Sequence, residues 1–165
     1  MFIPTIYIEN IKSENKSIEI SGNKLHHLKN VLRIRDEDKI NISNGKGLVF
    51  YGKFANNCVK INNSRMYERQ NSLKIFVPYL RERNRFRFLI EKLTELNVNE
   101  IHIGMTENTQ NTNYNKSKIS DWAISALEQS GSAYLPSLFF PDNLNFSIFR
   151  TCLDISGEKL NKNRE

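Results

Sequence analysis

Residues 24–39, KLHHLKNVLRIRDEDK, gather two histidines, three lysines and two arginines into one short stretch. Arg and Lys so placed donate charge-assisted hydrogen bonds to phosphate oxygens, which makes an anion the natural partner. Taken as a helix at about 100° per residue, the stretch puts Leu25, Leu28, Leu32 and, at its margin, Val31 on one apolar stripe. His26, Lys29 and Arg33 then fall within about 60° of each other on the opposite side. Arg35 follows, and Lys46 lies on a glycine-flanked turn further on. The plain alternative is a solvated face balanced by the acids at 36–38. His27 points near Val31, where a structural hydrogen bond and a ligand contact are equally good readings.

The charge balance along the chain bears on that choice. The net charge is +6, and residues 1–70 hold 12 Lys and Arg against 7 Asp and Glu. Residues 71–165 hold 12 against 11, so the excess belongs to the first segment. Clustered cations bind polyanions better than dispersed ones.

The elements that must position these residues differ between the two segments. TIYIE, SIEI and DKINISNGKGLVFYGKFANNCVKI are short, alternating and punctuated by turn residues, with Asn44-Gly45 a hairpin signal. Short strands, tight turns and one helix predict a small β-barrel over residues 1–70. From residue 73 the rhythm lengthens: LKIFVPYL as a strand, helix 83–96, strand NEIHIGM, helix 117–130, and FRTCLDIS as a third strand. That alternation predicts a parallel sheet with right-handed crossovers over residues 71–165, and an α+β chain as a whole.

Other candidate positions read as structure. Phe86, Leu89, Ile90, Leu93 and Leu96 form a core stripe, with Arg83, Arg87, Glu91 and Glu95 as an ion-pair ladder beside it and Lys92 apart. Ile119, Trp122, Ala123, Ala126 and Leu127 form another core face, stopped by Gly131 with Pro136 just beyond. NTQNTNYNKS is a polar loop. There is no P-loop, no GxGxxG after a strand, no metal-binding helix pattern and no nucleophile elbow. No catalytic residue and no metal ligand is therefore assigned. No apolar run reaches membrane-spanning length, and MFIPTIYIEN lacks the pattern of a secretory signal. Two cysteines without metal spacing, Cys58 and Cys152, fit a reducing cytoplasm.

Three ordered segments resemble one family. His27 with Val31-Leu32-Arg33, Lys92-x-Thr94-Glu95-Leu96 with Val98, and Trp122 with Glu128-Gln129-Ser130-Gly131 and Pro136 are similar to its patterns. The family is the ribosomal RNA small subunit methyltransferase E family, SPOUT-class enzymes that methylate N3 of a uridine in 16S ribosomal RNA. The resemblance implies a PUA-like RNA-binding barrel followed by part of a SPOUT-type domain. It also implies S-adenosylmethionine as cofactor, the small-subunit ribosomal RNA or 30S subunit as partner, and a family habit of homodimers formed largely through the knot. It gives the surface of His26, His27, Lys29, Arg33, Arg35 and Lys46 its reading as an RNA-binding face. Attack by N3 requires loss of the imide proton, so the enzyme must supply a base or stabilise the uracil anion.

The sequence also departs from the pattern. Asn97 stands where the family has glycine, and Asn108 and Ser132 stand where it has arginine. The glycine-rich and arginine-rich segments that bind the cofactor in the C-terminal knot are not in these 165 residues. The chain by itself is therefore expected to be inactive. The alternatives are a non-enzymatic RNA-binding or ribosome-associated module, and an inactive fragment.

Overall fold

The computed structural model describes residues 3–12, 14–69, 72–107, 109, 114–141 and 149. Five strands make the first sheet: β1 (Thr5–Tyr7), β2 (Ser17–Glu19), β3 (Lys39–Ser43), β4 (Leu48–Ala55) and β5 (Cys58–Met66), in the order β1-β3-β4-β5-β2. Only β1 and β3 run parallel; the other pairs are antiparallel. The period-2 pattern explains the faces. Leu48, Phe50 and Phe54 of β4 point inward with Ile40 and Ile42 of β3, while Tyr51 and Lys53 point out. The sheet curls into a half-barrel around this core.

Between β2 and β3 the chain forms α1 (Gly22–His26) and then one π-helical turn, His27–Val31. In the second unit β6 (Lys74–Pro78), β7 (Glu100–Gly104) and β8 (Ser137–Phe139) form a parallel sheet in sequence order. α2 (Arg83–Glu95) and α3 (Lys116–Ser130) make the two crossovers. Phe86, Ile90 and Leu93 meet Ile119, Trp122 and Ala123 over Val77, Ile101 and Ile103, and Phe86 and Trp122 pack edge to face at 6.0 Å. The fold is thus mixed α+β: a curled five-strand half-barrel and a three-strand parallel sheet covered by two crossover helices.

Several expectations needed correction. The third strand of the described sheet is Ser137–Phe139, which the sequence reading did not mark, and the strand expected at 149–156 lies outside the described residues apart from Phe149. The Phe149 ring lies 6.3 Å from Phe76 and 5.4 Å from His102. A three-residue strand directly after Pro136 is too short to show a period. Asn44-Gly45 does turn a hairpin, β3 into β4, but Asn44 acts through its side chain: its Oδ1 accepts from Lys46 N at 2.8 Å and Leu48 N at 3.0 Å, while Gly45 and Gly47 take the positive φ. The two-residue turn with both positions left-handed is Asn56-Asn57 instead, at φ 52° and 63°. On α2 the ladder is rewired. Arg87 pairs with Glu91 at 2.7 Å, but Lys92 takes Glu95 at 2.6 Å, and Arg83 lies over the Trp122 ring at 5.9 Å. Asn108, Cys152 and half of the polar loop lie outside the described residues.

Candidate nucleic-acid interface

The expected single helix over the basic stretch is replaced by a broken one. After α1 the backbone widens, so Leu32 N–H bonds His27 O at 3.0 Å, five residues back. Arg33 then adopts φ 54°, and Ile34 N–H reaches Leu28 O at 3.0 Å. Leu28 is wholly buried in the barrel core, with Leu25 and Ile34 packed at its edge. The helical stripe fails beyond that point: Val31 and Leu32 are 60% and 37% exposed. The extra residue in the turn rotates everything after Leu28 out of the phase that a 3.6-residue helix assumes.

This geometry gathers Lys29, Arg33 and Arg35 beside one anchor. Arg33 and Arg35 flank Ile34, whose amide is tied to the residue before Lys29. All three side chains are exposed, as are His26 and His27 on the same turn. Among the described residues none of these three cations pairs with a carboxylate. The acids at 36–38 are engaged elsewhere: Asp38 Oδ2 accepts from Arg35 N at 2.7 Å, Asp36 Oδ1 from Asn56 N at 3.4 Å, and Glu37 pairs with Lys53 at 2.9 Å. Lys53 holds the Glu37 carboxyl below the usual carboxylate range, first through its hydrogen bond and then through its charge. None of the three acids makes an ion pair with Arg33 or Arg35 among the described residues.

Lys46 is separate from this set. Arg35 and Lys46 lie beyond opposite ends of the five-residue strand β3, roughly 15 Å apart at about 3.3 Å per residue. Lys46 also faces Glu9 at 3.5 Å and pairs in a bridge with Tyr134 of the second unit.

That bridge is part of a bracket between the two units. Gly47 N–H bonds Ala133 O at 2.9 Å and Leu135 N–H bonds Gly45 O at 2.8 Å. The Tyr134 hydroxyl donates to Tyr67 O at 2.5 Å, and Arg69 stacks over the Tyr134 ring at 4.6 Å. Glu128 completes it: Oε1 accepts Tyr7 N–H at 2.9 Å and lies 3.9 Å from Lys24 Nζ, which also donates to Tyr7 O. Gly131 ends α3 at φ 69°, with Thr5 Oγ1 3.5 Å from where a Cβ would stand. The family-like pattern included Glu128 but gave it no role, because a carboxylate whose partner is a backbone amide 121 positions away leaves no local signal. Glu128→Ala strands the Tyr7 amide and is expected to cost about 1–3 kcal/mol in urea unfolding, with Glu128→Gln recovering most of it.

The arginine replaced by Ser132 and the glycine replaced by Asn97 turn out to be neighbours. Ser132 Oγ donates to Asn97 Oδ1 at 2.6 Å and accepts from Tyr134 N at 3.2 Å. Asn97 sits at φ 58° after α2, a left-handed position where asparagine is the usual substitute for glycine. The two departures thus form one contact.

In open α/β sheets a nucleoside cofactor sits beyond the carboxyl ends of the strands. Here the end of β6 is filled by stacked rings: Tyr79 lies 5.8 Å from both Tyr114 and Phe86, and the Tyr114 hydroxyl donates to Leu80 O. The described residues at the end of β6 leave no fit for S-adenosylmethionine there, and no chemical step is derived through it. Nor does any group of His, Cys, Asp and Glu among them have the arrangement to hold a metal. No helix there is long and apolar enough to cross a membrane.

Comparison with known proteins agrees with this architecture. Residues 20–55 match the RNA methyltransferase PUA domain and residues 68–152 the RNA methyltransferase domain. A ribosomal RNA small subunit methyltransferase E of Buchnera aphidicola from Schizaphis graminum is 29% identical, covering 85% of this chain and 62% of its own. The same enzyme of the strain from Acyrthosiphon pisum is 29% identical over 91% of this chain and 62% of its own. Among solved structures, a ribosomal RNA small subunit methyltransferase E from Neisseria gonorrhoeae, bound to S-adenosyl methionine, superimposes with a TM-score of 0.72 at 22% identity. It covers 86% of this chain and 62% of that one. A predicted RNA methyltransferase of Thermotoga maritima gives 0.70 at 25% identity, covering 87% and 67%.

A PUA half-barrel bracketed to an RNA methyltransferase domain defines the class: this is an RNA methyltransferase-type chain. Within that class it belongs to the ribosomal RNA small subunit methyltransferase E family. It spans 62% of the length of the curated relatives it matches.

Proposed function

We propose that the chain is the RNA-holding part of a cytoplasmic methyltransferase that transfers a methyl group from S-adenosylmethionine to N3 of a uridine in small-subunit ribosomal RNA. Residues 1–70 act as the RNA-binding barrel and residues 71–165 as the first part of the methyltransferase domain. Lys29, Arg33 and Arg35, with His26 and His27 beside them, contact the RNA backbone. Lys46 serves as a second, more distant contact next to the junction. One observation carries this reading: three exposed cations without a carboxylate partner among the described residues, gathered on a turn that Leu28 anchors in the barrel. The bracket through Glu128 supports it, since a fixed barrel delivers RNA to the second unit in one orientation.

A second reading, a non-enzymatic RNA-binding module, is favoured by the stacked rings that fill the end of β6. Two measurements on the chain test both. Filter binding to small-subunit ribosomal RNA at several salt concentrations should show affinity falling steeply with salt, and affinity independent of salt would refute the RNA-holding role. Micromolar binding of S-adenosylmethionine by calorimetry would remove the second reading.

A further inference from the structure

The strand register brings together cations that the sequence keeps apart. Lys39 of β3 lies directly opposite Lys53 of β4, and Lys53 directly opposite Lys60 of β5. Directly opposed residues share a face, so three ammonium groups form one row across the outside of the half-barrel. Like charges so opposed destabilise a sheet, yet the row carries one carboxylate ion pair, Glu37 on Lys53. Lys39 and Lys60 make no ion pair among the described residues.

The next rows on that face are built differently. Asn41, Tyr51 and Asn63 stand opposite one another, and Arg65 lies one row beyond. A bulge between Tyr51 and Gly52 leaves Asn62 without a partner across the ladder and opens a groove of about 620 Å³ there. Its lining includes Lys39, Asn41, Tyr51, Asn62, Asn63 and Arg65, and contains no carboxylate. The Tyr51 ring is held in place: its hydroxyl meets the Tyr67 hydroxyl at 2.6 Å, and Arg65 lies over the Tyr67 ring at 4.7 Å. Burial, then the Tyr67 hydrogen bond, pushes the Tyr51 phenol up to about 12.

We infer that this outer face is a second RNA-contact surface, which takes a single strand. Its phosphates lie against Lys39 and Lys60, the two lysines of the row without an ion pair, and a base rests against Tyr51 among the amides of Asn41 and Asn63. The chemistry selects this occupant. An ammonium row at strand spacing suits a phosphodiester backbone, an immobilised aromatic ring suits a base face, and amides suit base edges. Paired strands keep their bases stacked away from such a ring. The inference rests on the proposed RNA-holding role and extends it to a face about which the basic helical stretch says nothing.

The test measures binding of a fluorescent twelve-residue oligouridylate by anisotropy across a salt series. The K39E/K60E variant should bind at least about tenfold more weakly at low salt. Its slope of log K against log salt should shrink by about 1.4, at about 0.7 per phosphate contact on a single strand. Tyr51→Leu should weaken binding about tenfold with the slope unchanged. If K39E/K60E does not fold by circular dichroism, K39Q/K60Q serves with the same expected slope change. Wild-type affinity and slope in the lysine variants would overturn the inference. An equal loss on a twelve-base-pair RNA duplex would overturn the single-strand assignment. If variants at Lys29, Arg33 and Arg35 weaken binding while the strand-face variants do not, this face falls and the proposed function stands. If neither set does, both fall.

Discussion

Replacing Lys29, Arg33 and Arg35 together by alanine is expected to weaken small-subunit ribosomal RNA binding about 100-fold at low salt. The slope of log K against log salt should become shallower by about 2–3. On the proposed function each of these cations makes one phosphate contact, of about 1 kcal/mol and about 0.7–0.9 in slope, and 1.4 kcal/mol is tenfold. All three are exposed and none is ion-paired with a carboxylate among the described residues. Filter binding with the wild-type and triple variant checks it, with circular dichroism to show that the barrel is intact. Arg33→Gly alone separates binding from stability. A side chain at φ 54° is held in a left-handed conformation that costs about 1–2 kcal/mol and that glycine adopts freely. This variant should therefore lose affinity without losing stability.

Leu28→Ala is expected to cost about 2–5 kcal/mol in unfolding free energy, the range for a large-to-small change at a fully buried site. It should also lower RNA affinity although it removes no charge. Leu28 is the side chain by which the π turn is seated among Ile40, Ile42 and Phe50, and its carbonyl receives the Ile34 amide that sets Arg33 and Arg35 beside Lys29. Unseating the turn disperses the cations. Leu28→Met, which keeps the volume, should cost under about 1.5 kcal/mol and keep the affinity. Chemical denaturation paired with the same binding assay distinguishes these outcomes.

What could be read from the residues follows from what is local. The half-barrel strands and the alternation of the second unit came from periods of 2 and 3.6, and the stop at Gly131 from its backbone freedom. The π turn did not show, because apolar spacing in the stretch fits a regular helix and only the burial of Leu28 with Val31 exposed betrays the extra residue. The family patterns marked Glu128 without saying what it does; its role depends on where Tyr7 lies in space. The lysine row was equally hidden. Lys39, Lys53 and Lys60 are separated in sequence by turns, and only the register across β3, β4 and β5 makes them neighbours. Lys46 shows the converse. It looked continuous with the basic stretch, but β3 places it at the other end of the barrel, beside Glu9.

The most direct measurement of the central claim is a chemical footprint. The chain is treated with an amine acetylating reagent and an arginine-selective dicarbonyl, with and without saturating small-subunit ribosomal RNA, and modification is read residue by residue by mass spectrometry. The account predicts that RNA protects Lys29, Arg33 and Arg35 while Lys118, exposed on α3 of the other unit, reacts at an unchanged rate. Equal modification of Lys29, Arg33 and Arg35 in the bound and free chain would contradict it.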